Sequence, residues 1–238
     1  MTTPAVFYAA LDGTWPAAQR ITLGDWTLRI GEGGGKRVSA ATANAPGADI
    51  QTAETAMRDH GQPPLFMIKP GEDALDQALG ARGYDIVDPT KGYIAPVETL
   101  TDIPIPRVTA FAIWEPLAIM EEIWAKGGIG PARLATMARA QTKTAILARW
   151  NEKPAGAGFV ALHDGIAMVH AVEVLAHQRR QGVAQWIMRR AAFWAQENGA
   201  HSIALLTTAD NVAANALYQG LGFQPIGGYH YRAQPQQT

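Results

Sequence analysis

The chain contains no cysteine. Disulfides, thiolate metal sites and cysteine nucleophiles are thereby excluded, and a reducing compartment fits. No apolar run reaches the roughly 20 residues that a membrane-spanning helix needs. The opening MTTPAVFYAALDGTW lacks the basic start and apolar run of a secretory signal. Neither sign of charge is in excess, with 20 Lys and Arg against 21 Asp and Glu. A general nucleic-acid binder needs a broad positive field, so that class is excluded and any anion site must be local. The six histidines show no metal-ligand spacing, and no metal is expected. These absences lead to an expected soluble, cytoplasmic protein with no membrane or nucleic-acid partner. What the chain does have is apolar content, 47% of 238 residues, enough to bury a core in one large domain or two small ones.

The first hundred residues alternate between strand and helix patterns. DWTLRI (Asp25 to Ile30) alternates like a strand, GEGGGKR (Gly31 to Arg37) reads as a tight turn, and the chain returns from Val38. Asp49 to His60 reads as a helix stopped by Gly61. Leu65 to Lys69 is an expected strand, Asp73 to Leu79 a short helix, and Tyr84 to Val87 another strand. GEGGGKR is not a Walker loop: Ile30 stands where the first glycine belongs, and Arg37 replaces the Ser or Thr. VETLTDIPIPR (Val97 to Arg107) carries two prolines and predicts an extended connection, with a domain boundary near it; an edge strand is the alternative.

The second part is clearer. Helices are expected over Glu115 to Lys126 and Ala132 to Arg139, and a strand over Thr144 to Trp150. Two strands should flank His163-Asp164-Gly165, since Asp-Gly signals a hairpin. Val183, Ile187, Ala191 and Trp194 recur at helical spacing, predicting a helix from Gly182 to Asn198. Ser202 to Thr207 is a strand, Ala213 to Gln219 a short helix, and Gly228 to Arg232 a final strand. The alternation gives an α/β or α+β class.

HQRRQGVA thus lies between a strand and a helix start. Helix-start amides have no internal partner, the helix dipole favours negative charge there, and arginines supply fork-shaped donors. A diphosphate is the natural occupant. The spacing is Arg179-x-x-Gly182-x-Ala184, and NVAANALYQGLGF (Asn211 to Phe223) follows downstream.

Together these two segments resemble the GNAT superfamily of acyl-CoA-dependent N-acetyltransferases. The first matches the family's Q/R-x-x-G-x-G/A pyrophosphate loop. The second matches its N-x-x-A-x-x-L-Y-x-x-L-G-F motif at Asn211, Ala214, Leu217, Tyr218, Leu221, Gly222 and Phe223. The resemblance covers about Ile166 to Arg232 and extends more weakly back to Pro106. It implies a GNAT fold, with a mixed, mostly antiparallel sheet flanked by helices. Residues 1–103 resemble a smaller, degenerate N-terminal GNAT-like domain of tandem family members, with no pyrophosphate loop, and residues 104–238 would be the catalytic domain. A homodimer is compatible with the family.

By the same resemblance, acetyl-CoA is the cosubstrate and an unidentified amine the acceptor. Backbone amides of Arg180, Gln181, Gly182, Val183 and Ala184 would hold the diphosphate, with Arg179 and Arg180 side chains within reach of it. Amides near Val172 and Val174 would pair with the pantetheine arm, and one would polarise the thioester carbonyl. Tyr218 is the candidate acid for the CoA sulfur, the alternative being a packed aromatic. Asn211 would contact CoA or only cap its helix. Glu173 is the first candidate base; a salt bridge to an arginine is its alternative, and water another proton carrier. Strict strand alternation puts Glu173 opposite Val172 and Val174, and puts His170 on the other face from Glu173. His177 and His201 fall in or near loops. Trp114, Trp124 and Trp150 would line an apolar cleft or, as is commoner for tryptophan, pack in the core. A non-catalytic acyl-CoA sensor is the competing function, and a vestigial interaction protein a third.

Overall fold

The computed structural model describes residues 2–235, so Met1 and residues 236–238 of the expected domains lie outside it. The chain divides into two compact units with interleaved segments. Unit one is Met1–Pro16, Gly92–Leu206 and Val212–Ile226; unit two is Ala17–Lys91, Thr207–Asn211 and Gly227–Thr238. The expected single cut near residue 103 falls inside unit one, because the first helix and residues 92–103 both pack there.

That helix, α1 (Pro4–Thr14), is not among the expected elements. Thr3 caps it, its side chain accepting from the Val6 amide at 3.4 Å, and Pro4 takes the first helical position. Phe7, Ala10, Leu11 and Thr14 are buried at helical spacing.

Unit two follows with β1 (Gln19–Leu23), β2 (Trp26–Ile30), β3 (Thr42–Ala43), α2 (Ile50–Asp59), β4 (Leu65–Ile68) and α3 (Asp73–Ala81). β1 and β2 form a hairpin through Gly24, whose φ of 53° lies in the left-handed region. The expected tight turn at GEGGGKR is longer. Gly34 donates to the Gly31 carbonyl, then Lys36–Val38 coils into a short 3₁₀ turn, and the returning strand starts only at Thr42. Asp49 caps α2 with both carboxylate oxygens. Trp26, Leu28, Phe66 and Tyr84 join this unit's core.

The next strand, β5 (Asp85–Pro96), is longer than expected and runs from unit two into unit one. Unit one continues with β6 (Ala110–Ile113), α4 (Ala118–Lys126), α5 (Pro131–Arg139), β7 (Thr142–Trp150), β8 (Lys153–His163), β9 (Ile166–Val174) and α6 (Val183–Glu197). Then come β10 (Ser202–Thr208), α7 (Val212–Gly220) and β11 (Gln224–Ala233). In unit one the strand order is β5-β10-β9-β8-β7-β6. The pairs β6–β7, β7–β8 and β8–β9 are antiparallel, whereas β9–β10 is parallel. In unit two β4 pairs antiparallel with β11. The fold is therefore mixed α/β with a mostly antiparallel sheet flanked by helices.

One face of the unit-one sheet carries α6, with Val183, Ile187 and Ala191 buried against it as their spacing predicts. Gly158 permits the close approach: a Cβ there would lie 2.6 Å from Ile187 Cγ2. α1 and α4 pack on β8 and β9. The β8–β9 turn is built by Asp164 at φ 45° and Gly165 at φ 77°, the two left-handed residues of a tight hairpin. The connection expected to be extended over 97–107 begins instead with a coiled turn. Val97–Leu100 forms a 3₁₀ turn whose ends are buried, and Arg189 of α6 holds it by donating to the Leu100 carbonyl (3.0 Å) and to Asp102.

Candidate active site

β9 does not alternate strictly. It pairs with β8 regularly from His163↔Ile166 to Phe159↔His170, and the next pair is Ala157↔Glu173. β8 advances two residues while β9 advances three, so β9 carries a bulge. Its extra residue is Ala171, at φ 52°. Ala157 and Phe159 share a face, and their partners Glu173 and His170 therefore share it too. This corrects the expectation that those two side chains point to opposite faces: alternation fails where a residue is inserted. Val172 and Val174 do oppose Glu173; both pack in the cluster that includes Val183 and Ile187.

The bulge is held from outside the strand. The indole N–H of Trp124, on α4, donates to the Ala171 carbonyl at 2.8 Å, and Trp124 is fully buried. Beyond the bulge, α4 ends at Gly127, which lies against the Glu173 carboxyl; a Cβ at Gly127 would stand 2.3 Å from its Cδ. Among the described residues the Glu173 side chain has no hydrogen-bond partner and no ion pair. Burial pushes its pKa up, while Arg179 and Arg133 pull it down from farther off. The expected alternative of a salt bridge is thus absent at contact distance.

β9 also has an open edge. Its parallel pairing with β10 ends at Val169↔Leu205, whereas β9 continues to Val174. Residues 170–174 therefore have no β10 partner on that side, which leaves backbone donors and acceptors near Val172 and Val174 available to a bound chain.

After β9 comes a 3₁₀ turn, Ala176–Gln178, and then Arg180 at φ 62° and Gly182 at φ 75°. The first hydrogen bond of α6 is Trp186 N–H to the Gly182 carbonyl, 3.1 Å. Among the described residues, no amide from Arg180 through Gln185 donates to a protein acceptor. The run covers Arg180, Gln181, Gly182, Val183 and Ala184, all expected at this loop, and adds Gln185. Val183 is buried, its side chain packed in the core under α6. Arg179 donates Nε–H to the Val174 carbonyl at 3.3 Å, tying the loop to the end of β9.

Tyr218, on α7, is 7% exposed and touches the rings of Tyr93 and Phe223. Burial alone pushes its phenol up to about 12, so it stays protonated near neutrality. Tyr93 donates to Asn215 of the same helix at 2.7 Å, fixing α7 on the unit-one core. Asn211 directly precedes α7, and its amide donates to the Thr208 carbonyl.

His170 was expected to point away from Glu173 and is instead its neighbour along one face. Its Nε2 lies 2.9 Å from Thr14 Oγ1, whose hydroxyl donates to the Ala10 carbonyl, so Nε2 carries a proton and donates to Thr14. Trp15 stacks at 5.0 Å and Phe159 at 6.2 Å from the imidazole. Trp114 is 38% exposed beside Phe159, with Lys143 Nζ 4.8 Å above its ring. Gly127 and Thr14 were not singled out by the sequence, and Trp124, expected to line a cleft or pack in the core, is fully buried. Gly127, after a helix pattern, was the one signal available, and it reads equally as a plain helix end. His177 and His201 are exposed.

Comparison with known proteins agrees with this geometry. Residues 111–223 match the Acetyltransferase (GNAT) family. An "Uncharacterized N-acetyltransferase YobR" of Bacillus subtilis (strain 168) is 28% identical over 231 residues, spanning 92% of this chain and 94% of that protein. Among solved structures, a GCN5-related N-acetyltransferase from Kribbella flavida superposes with a TM-score of 0.75 at 21% identity, over 100% of this chain and 97% of that one. A tandem GNAT protein from the clavulanic acid biosynthesis pathway gives 0.58 at 14% identity, over 89% and 79%. These two likenesses show the fold.

Proposed function

We propose that this enzyme moves an acetyl group from acetyl-CoA directly to a primary amine of a small molecule or of a peptide or protein N-terminus. The observation that carries the reading is the run of unbonded amides from Arg180 to Gln185 next to the open edge of β9. Those amides and the α6 dipole suit a diphosphate. Arg180, with no partner among the described residues, adds charge-assisted donors, and Arg179 lies at the same turn.

The rest of CoA would lie along β9, with the Val172 and Val174 amides pairing with the pantetheine arm and one of them polarising the thioester carbonyl. Glu173 takes a proton from the incoming ammonium. The neutral amine attacks, the C–N bond forms and the C–S bond breaks. Tyr218 gives its proton to the leaving sulfur, the amide nitrogen loses its surplus proton to solvent, and Tyr218 is reprotonated from solvent. Asn211 would contact CoA from the start of α7. The reading includes a cytoplasmic location, supported by the lack of cysteine. It extends to residues 1–103 as a degenerate GNAT-like half, supported by the fold likeness to the tandem protein.

Calorimetric titration with acetyl-CoA, followed by thiol release against a panel of primary amines, tests the proposal. The expected result is micromolar binding and amine-dependent CoA release. Tyr218→Phe should keep the affinity and lose about 10²- to 10⁴-fold in release rate. Binding with no release from any amine, and no effect of Tyr218→Phe, would leave an acyl-CoA sensor.

A further inference from the structure

The aim of Glu173 depends on a device that lies outside β9. Ala171 is the residue that breaks alternation, and it does so in a left-handed conformation that is disfavoured for a residue with a Cβ. Nothing in the local sequence favours that conformation; Ala171 is neither Gly nor Asn. Its carbonyl, turned out of the β8 ladder, needs a donor, and the Trp124 indole supplies one at 2.8 Å. Trp124 has no exposed surface and its ring sits on a helix, so the donor is fixed in place. Three residues along, the same helix closes at Gly127, where only the absence of a Cβ lets the Glu173 carboxyl lie. One helix end thus touches the bulge twice, at its carbonyl and at the acid that follows it.

We infer that Trp124 is a positioning residue for acyl transfer, and that it acts through the Ala171 carbonyl to hold Glu173 on the face it shares with His170. Without the indole N–H, the bulge loses its outside partner. The bulge is then held less firmly, and the Glu173 carboxyl swings from its place beside Gly127 toward solvent. Gly127 acts at the other end, reserving the space the carboxyl occupies. The inference rests on the acetyltransferase reading for its catalytic consequence, but the placement of Glu173 can be measured without any acceptor.

Two variants test it. Trp124→Phe keeps an aromatic ring and removes the donor. Gly127→Ala keeps the donor and puts a methyl group where the carboxyl lies; φ at Gly127 is −87°, so alanine is tolerated by the backbone and the flexible Glu173 end is what must move. The Glu173 carboxyl is titrated by carbon-13 NMR in the wild type and in both variants. In the wild type its midpoint should lie above that of an ordinary glutamate. In both variants it should fall toward the ordinary value as the carboxyl moves into water. With the best amine of the panel, kcat should drop about tenfold while the calorimetric affinity for acetyl-CoA stays within twofold. The acid limb of the pH–rate profile should move to lower pH. An unchanged midpoint in folded Gly127→Ala and Trp124→Phe would overturn the inference. If no amine is acetylated by the wild type, the acetyltransferase reading fails, and the NMR midpoints still decide whether Trp124 and Gly127 place Glu173.

Discussion

Glu173 is a half-buried carboxyl with no hydrogen-bond partner among the described residues, and that state has a sign in stability as well as in chemistry. Its folded pKa lies above the unfolded value because desolvation penalises the charged form. A group raised in this way leaves stability intact below its unfolded pKa and takes it away as the pH rises through the folded pKa. Glu173→Gln removes that loss. The variant should therefore melt at a higher temperature than the wild type at pH 7 and above, and the difference should vanish near pH 4. The same change should lower the amine-dependent rate about 10²- to 10⁴-fold, as for loss of a general base. Thermal melts across pH, paired with thiol-release rates, check both halves. A variant that loses activity without gaining stability would mean that the carboxyl is held by something other than a catalytic need.

The elements of this chain differ in how far the sequence reveals them, and the difference follows distance along the chain. The start of α6 is legible because its causes are local: Gly182 supplies the left-handed φ, and the residues after it are good helix formers. Gly182 is there for its dihedral rather than for space, since the nearest atom to a Cβ would be 4.0 Å away. Gly182→Val should then cost about 1–2 kcal/mol in denaturant unfolding, and it should weaken acetyl-CoA binding at least tenfold by turning the amides away from a common centre. The bulge in β9 is not legible, because Ala171 resembles any strand residue and the partner that keeps it left-handed stands 47 positions earlier. Helix α1 is a milder case. Thr3-Pro4 and the 7, 10, 11, 14 spacing are the ordinary signs of a capped amphipathic helix, yet what those residues bury is β8 and β9, far downstream. GEGGGKR shows the reverse error: a glycine-rich turn was legible, but its length was not, because the 3₁₀ coil at Lys36–Val38 is no part of a glycine signal.

At the scale of the whole molecule, the interleaving of the two units has a consequence for how the chain is made. α1 leaves the ribosome before the strands it covers, and its polar anchor, Thr14, meets His170 across 156 positions. At typical synthesis rates of about 5–20 residues per second, the helix waits on the order of ten seconds for the strands it covers. During that interval Phe7 and Leu11 have no native surface to bury them. Nascent chains stalled with about residue 140 outside the exit tunnel should therefore be cut by a protease within residues 1–16, whereas chains released after β9 and α6 have emerged should resist. Resistance at the early stall would mean that α1 finds a temporary partner. Helix α1 is thus made well before the strands that bury it, so the moment it becomes native is set by segments about 150 residues further along the chain.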